Sequence, residues 1–147
     1  MKEIHPLKRK SVKPSSSTVR GMLPSKQFRA LDSALQGLRA TGLRFDWIWK
    51  EAEIGWVCAG LYEDRTYCEL VPSQSPLVGQ IRLSQKDWKN ALESEEVPER
   101  YKAILKLPIE KDRKEVLFEF ELESTAQRDM FSEIVENLMS ALSGNPV

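Results

Sequence analysis

The sequence predicts an α+β fold, a mostly antiparallel sheet of about five strands packed with helices. Three observations lead there. Leu43 to Leu83 holds three of the four tryptophans and reads as four short strands joined by brief links. Links that short favour an antiparallel meander, because a parallel crossover needs a dozen residues or more. Helical periodicity before, after and between the strands supplies the covering layer. The expected order is α-β-β-β-β-α-α-β-α, a meander of four strands followed by one more after a helical insert.

The first 24 residues hold Pro6, Pro14, Gly21 and the run Ser15-Ser16-Ser17-Thr18, with few large apolar residues. Such a segment buries too little surface to offset its ordering entropy, so 1–24 is expected to be a disordered tail and 25–144 a single α+β domain. Ser25 is the expected N-cap of the first helix, whose Phe28, Leu31, Leu35 and Leu38 form one apolar stripe ending at Gly42.

In the first strand Leu43, Phe45, Trp47 and Trp49 alternate with Arg44, Asp46, Ile48 and Lys50. Successive side chains of a strand leave opposite faces, so the aromatic residues share one face. Ile54 to Tyr62 is apolar on both faces, as a central strand covered on both sides would be. Glu63-Asp64 is the expected turn. Arg65 to Val71 forms the third strand, stopped by Pro72-Ser73-Gln74-Ser75-Pro76, and Leu77 to Leu83 the fourth.

Ser84 caps a second helix with Trp88, Ala91 and Leu92 inside, and Pro98 opens a third with Tyr101, Ile104 and Leu105 inside. Glu110 to Lys114 reads as a charged link. Val116, Phe118, Phe120 and Leu122 then give a fifth strand. Ser124 and Gln127 have capping-box spacing before a last helix, in which Phe131, Ile134, Val135, Leu138, Ala141 and Leu142 make the clearest amphipathic pattern. Gly144 and Pro146 end it.

At 147 residues, 41% hydrophobic and 30% charged, the composition is that of an ordinary soluble domain. No apolar run approaches the about 20 residues of a membrane helix, and no apolar stretch follows the basic N-terminus. A cytoplasmic protein with no membrane partner is expected. The formal net charge is zero but unevenly spread. Residues 1–24 carry six basic side chains and one acidic, and residues 25–147 carry 16 and 21. A basic tail thus precedes an acidic body.

The chemistry-bearing residues are few. His5 is the only histidine and lies in the tail, which removes histidine-based triads and metal clusters. No Walker A, GxGxxG or HExxH pattern is present. No catalytic residue, metal ligand or cofactor is assigned. Cys58 and Cys68 fall on neighbouring strands. A three-residue loop at 62–64 would pair them, and a two-residue turn would place them on opposite faces. Buried free thiols are the ordinary reading. Glu115, Glu119 and Glu121 share a strand face and would serve a carboxylate-dependent enzyme only inside a cleft.

Two sets of candidate binding residues remain. Phe45, Trp47, Trp49 and Trp56 could wall a concavity for a small apolar ligand, or line the core beneath the helices. Lys8, Arg9 and Lys10 could touch phosphates, which would make the tail a weak nucleic-acid binder, although the acidic body argues against it.

Gly55-Trp56, Tyr62, Arg65-Thr66, Cys68, Leu70 and Pro72 resemble the pattern of a family of small bacterial proteins, domain of unknown function 3788. There a Gly-Trp strand leads into a hairpin whose return strand carries Thr, Cys and a Leu-x-Pro ending. The resemblance covers about residues 26–142 and departs at Pro76-Leu77-Val78-Gly79, where that family has an aromatic strand. The basic tail is also extra. It implies a cytosolic bacterial domain and transfers no activity or site residue. The functional expectation is a non-enzymatic module that binds a small ligand or a protein partner.

Overall fold

Alternation of Phe45, Trp47 and Trp49 with Arg44, Asp46 and Ile48 builds the edge strand β1 (Arg44–Trp49). A computed structural model describes residues 6–15, 18–74 and 76–143. The first helix is α1 (Ser25–Arg39), and the strands after β1 are β2 (Trp56–Tyr62), β3 (Arg65–Val71) and β4 (Val78–Ser84). Then come α2 (Gln85–Glu93), α3 (Glu99–Leu105), β5 (Glu110–Lys111), β6 (Glu115–Glu121) and α4 (Thr125–Ser143). The strands form one antiparallel sheet in the order β1-β2-β3-β4-β6-β5. The α+β class and the meander match the sequence expectation. The strand count rises from about five to six, because two residues of the charged link, Glu110 and Lys111, pair with β6 as its outer edge.

Local signals act largely as their chemistry dictates. The Ser84 hydroxyl accepts from the Asp87 N–H at 3.0 Å. Ser124 and Gln127 exchange two bonds, 2.9 and 3.1 Å, in a capping box. Pro24, not Ser25, occupies the N-cap of α1, since Ser25 is already helical and Pro24 is extended at ψ 148°. Gly144 and Pro146 lie outside the described residues.

The β2–β3 turn decides where the cysteines go. Glu63 and Asp64 both have positive φ, 50° and 63°, which gives the two-residue turn that suits a twisted hairpin. Alone, that turn would put Cys58 and Cys68 on opposite faces. A bulge between Gly60 and Leu61 changes the register, so that Gly60 pairs with Cys68 and Leu61 with Thr66. The extra residue, Tyr67, restores the parity. Both thiols face the helices, with Cys58 opposite Leu70 rather than opposite Cys68.

One face of the sheet carries the core. Leu70, Ile81, Phe118, Leu122, Phe131, Ile134 and Leu138 are all buried there, beneath α1, α2 and α4. The opposite face has a smaller cluster, Val57, Val71 and Val78, with Ile54 packed against it. Both faces of β2 are therefore covered, as its apolar run requires.

The N-terminal segment departs from the sequence expectation of a disordered tail. Its described residues lie on the sheet. Leu7 is 0% exposed, and Pro14, Val19 and Leu23 are buried too. Short 3-10 turns form at Pro6–Lys8 and Val19–Met22. The Trp56 indole N–H donates to the Arg9 carbonyl at 2.9 Å. Gly55 makes the docking feasible. It sits at φ 82°, and a Cβ there would stand 2.0 Å from the Leu7 carbonyl oxygen. Isolated apolar residues without periodicity are thus accommodated by a complementary aromatic surface. Met1 to His5, with the only histidine, lie outside the described residues, as do Ser16 and Ser17.

Candidate functional site

A cleft of about 720 Å³ lies at the junction of four segments. The N-terminal segment contributes Pro6, Met22 and Pro24, and the first turns of α1 contribute Lys26, Gln27, Arg29 and Ala30. The β3–β4 loop supplies Pro72, Ser73, Gln74, Pro76 and Leu77. Glu123 and Arg128 come from the β6–α4 junction. Four prolines, Met22, Ala30 and the buried Leu77 make most of the wall apolar.

Each wall is fixed by a named contact. Proline stops β3 at the loop because it cannot donate to the ladder. The Ser73 hydroxyl donates to the Ile54 carbonyl at 2.7 Å, anchoring the loop to the β1–β2 turn. The Gln27 amide donates to the carbonyls of Pro72, at 3.2 Å, and Gln74, tying α1 to the loop. The Leu122 N–H donates to the Leu77 carbonyl at 2.8 Å, closing the floor. Arg128 spends its two terminal nitrogens on the junction, while its buried Nε has no hydrogen-bond partner among the described residues. Its Nη1 donates to the carbonyls of Leu122 and Glu123 at 3.1 and 2.8 Å, and its Nη2 to the Thr125 hydroxyl at 3.3 Å. Lys26 pairs with Glu123 at 3.4 Å across the rim.

The aromatic set is placed differently. Phe45, Trp47, Trp49 and Trp56 do share the helix-side face, and all four pack with the core. Trp56 is 8% exposed and meets Trp49 edge to face, with ring centroids 5.7 Å apart. Lys13 lies 5.9 Å above the Trp56 ring. Phe45 and Trp47 line a cavity of about 120 Å³ with Phe28, Asp32 and Arg39. That falls below the roughly 300–1,000 Å³ of ligand pockets. Trp49 and Trp56 do not line it. Lys8, Arg9 and Lys10 follow Leu7 across this region. Lys8 is half-buried, while Arg9 and Lys10 are exposed.

The face of the sheet away from the helices carries a charge chain. Glu69, 5% exposed, lies between Lys50 Nζ at 2.6 Å and Arg82 Nε at 3.5 Å. Arg82 also reaches Glu115 at 3.4 Å, and the Gln80 amide donates to Glu119 at 3.1 Å. Lys50, Glu69, Gln80 and Arg82 line a hollow of about 220 Å³ whose cations are already paired with Glu69. Glu119 and Glu121 are exposed on the same face. Asp112 accepts from the N–H groups of Glu115 and Lys114, at 2.8 and 2.7 Å, and these hold its carboxyl below the usual range.

Burial pushes the Cys58 thiol up to about 12 and raises that of Cys68 as well. Neither is a nucleophile at neutral pH, because the thiolate is the reactive form. Among the described residues, no group of three or more His, Cys, Asp or Glu side chains is arranged to hold a metal. Among them, no helix is long and apolar enough to cross a membrane.

The cleft was not readable from the sequence. Its residues come from stretches around 6–30, 72–77 and 123–128, brought together only by the fold. The Pro72–Pro76 run was legible as a strand terminator. Comparison of the chain with family models, with curated proteins and with solved structures finds no match.

Proposed function

We propose that this chain is a non-enzymatic binding domain whose site is the proline-walled cleft, and that its ligand is a small, mainly apolar molecule. The observation that carries the reading is the cleft itself. Its volume of about 720 Å³ suits a small organic ligand, and an apolar wall with a few polar groups at the rim is the usual composition of such sites. Prolines and a hydrogen-bonded loop also hold the walls in place before binding, which lowers the entropy cost of association. The aromatic face serves the core and the docked N-terminal segment in this reading. The resemblance to domain of unknown function 3788 adds the proposal of a cytosolic bacterial setting.

Calorimetric titration with octan-1-ol tests it. Saturable binding to the native protein is expected. Ala30→Trp, which places an indole in the cleft from the half-buried face of α1, is expected to abolish that binding while leaving the unfolding temperature near its native value. Absence of saturable heat, or binding undiminished in Ala30→Trp, would overturn the reading.

A further inference from the structure

We infer that the ligand of the cleft is an anion, an apolar tail ending in a carboxylate or a similar acid group, and that Arg29 receives that group. The inference rests on the small-molecule reading above and adds the chemical class. It follows from accounting for the charged groups around the cavity. Three cations and one carboxylate line it, so it carries an excess of positive charge in a chain of zero formal net charge. Two of the cations already have structural partners. Lys26 is paired with Glu123 at 3.4 Å, and Arg128 is held by the carbonyls of Leu122 and Glu123 and by the Thr125 hydroxyl.

Arg29 differs from both. It lines the cavity and makes no ion pair, hydrogen bond or ring contact among the described residues. Its five donors are therefore available at the mouth, in the planar geometry that matches a carboxylate or phosphate oxygen pair. Most donors of the neighbouring polar side chains are engaged, the Gln74 amide and the buried Arg128 Nε being the exceptions among the described residues. The Gln27 amide is bound to two loop carbonyls and the Ser73 hydroxyl to Ile54. A neutral polar head would thus find few free donors, whereas an anionic head finds a guanidinium. The apolar walls behind it take the tail.

The test compares two probes with the same eight-carbon tail, octanoate and octan-1-ol, by calorimetric titration near neutral pH at low salt. Octanoate is expected to bind about five- to tenfold more tightly, the range for one charge-assisted contact at a partly solvated site. Added salt narrows the difference. Arg29→Gln is expected to erase the preference for octanoate while octan-1-ol binds as before. Glu123→Gln, which frees Lys26 and removes the one lining carboxylate, is expected to strengthen octanoate binding further. If octan-1-ol binds equally well or better, or if the preference survives Arg29→Gln, the anion assignment is overturned and the cleft stands as a neutral apolar site. If neither probe binds, the small-molecule reading fails and the anion assignment with it.

Discussion

Replacing Gly55 with alanine tests how the N-terminal segment is held. Two separate costs follow from the structure. The residue sits at φ 82°, where a side chain costs about 1 kcal/mol relative to glycine. The new methyl would also lie 2.0 Å from the Leu7 oxygen, 2.7 Å from its carbonyl carbon and 3.0 Å from Lys8 Cα. All three are backbone atoms, so no side-chain rotation relieves the contact and the segment must lift. Lifting exposes Leu7, worth about 2 kcal/mol, and breaks the Trp56–Arg9 bond, worth about 1 kcal/mol. The freed segment regains backbone entropy, which offsets part of this. A net loss of about 2–3 kcal/mol is expected. That is well within a domain stability of roughly 5–15 kcal/mol, so the chain still folds. The melting temperature should fall by roughly 5–10 °C.

Two assays read the lift directly. Trypsin should cut Gly55→Ala at Lys8, Arg9 or Lys10 much faster than the native protein, and tryptophan emission should shift to the red as Trp56 becomes hydrated. Leu7→Ala should reproduce the trypsin sensitivity without the φ penalty. Native trypsin resistance and unchanged emission in Gly55→Ala would refute the argument that the segment is docked through that contact.

Other outcomes follow from the same structure. Cys58 and Cys68 should resist a thiol reagent in the native state near pH 8 and react at the rate of unfolding, since burial keeps them protonated. Because the native Cys58 keeps its proton up to about 12 while an unfolded thiol loses it near 9, the contribution of this group is full below pH 9. It declines between about 9 and 12, and replacing Cys58 with alanine should flatten that part of the stability–pH curve. Glu69→Gln removes the charge between Lys50 and Arg82. Since both cations are more than one-third exposed, 36% and 39%, the loss should be about 1–2 kcal/mol rather than the several expected of a fully buried pair, as urea unfolding can measure. Phe131→Ala empties the space over Gly79 and beside Phe120, and should cost about 3–5 kcal/mol by the same measurement.

The sequence made most of the architecture legible because period two and period 3.6 are strong signals when one face is buried. Phe45, Trp47 and Trp49 were placed on one face, and α4 on its Phe131-to-Leu142 stripe, by spacing alone. Features depending on one residue of register were not legible. A glycine inside a strand, as at Gly60, marks a candidate bulge, but it does not tell that Tyr67 is the extra residue or which way the register shifts. The two-residue strand Glu110–Lys111 hid in a charged link because backbone pairing, not side-chain pattern, defines it. Leu7, Pro14, Val19 and Leu23 were too widely spaced to suggest an ordered segment, and their burial depends on the surface of β1 and β2. Part of the cleft lies beneath that segment, so its wall at Pro6, Met22 and Pro24 was illegible for the same reason.

The central claim is that the cleft, not the aromatic face, is where a ligand sits. Amide NMR during titration with octan-1-ol separates the two sites. The account predicts saturable shifts at the backbone amides of Gln27, Ala30, Gln74 and Leu77, with the indole N–H signals of Trp47, Trp49 and Trp56 unmoved. Movement of the indole signals with the cleft amides still would contradict it and return the site to the tryptophans.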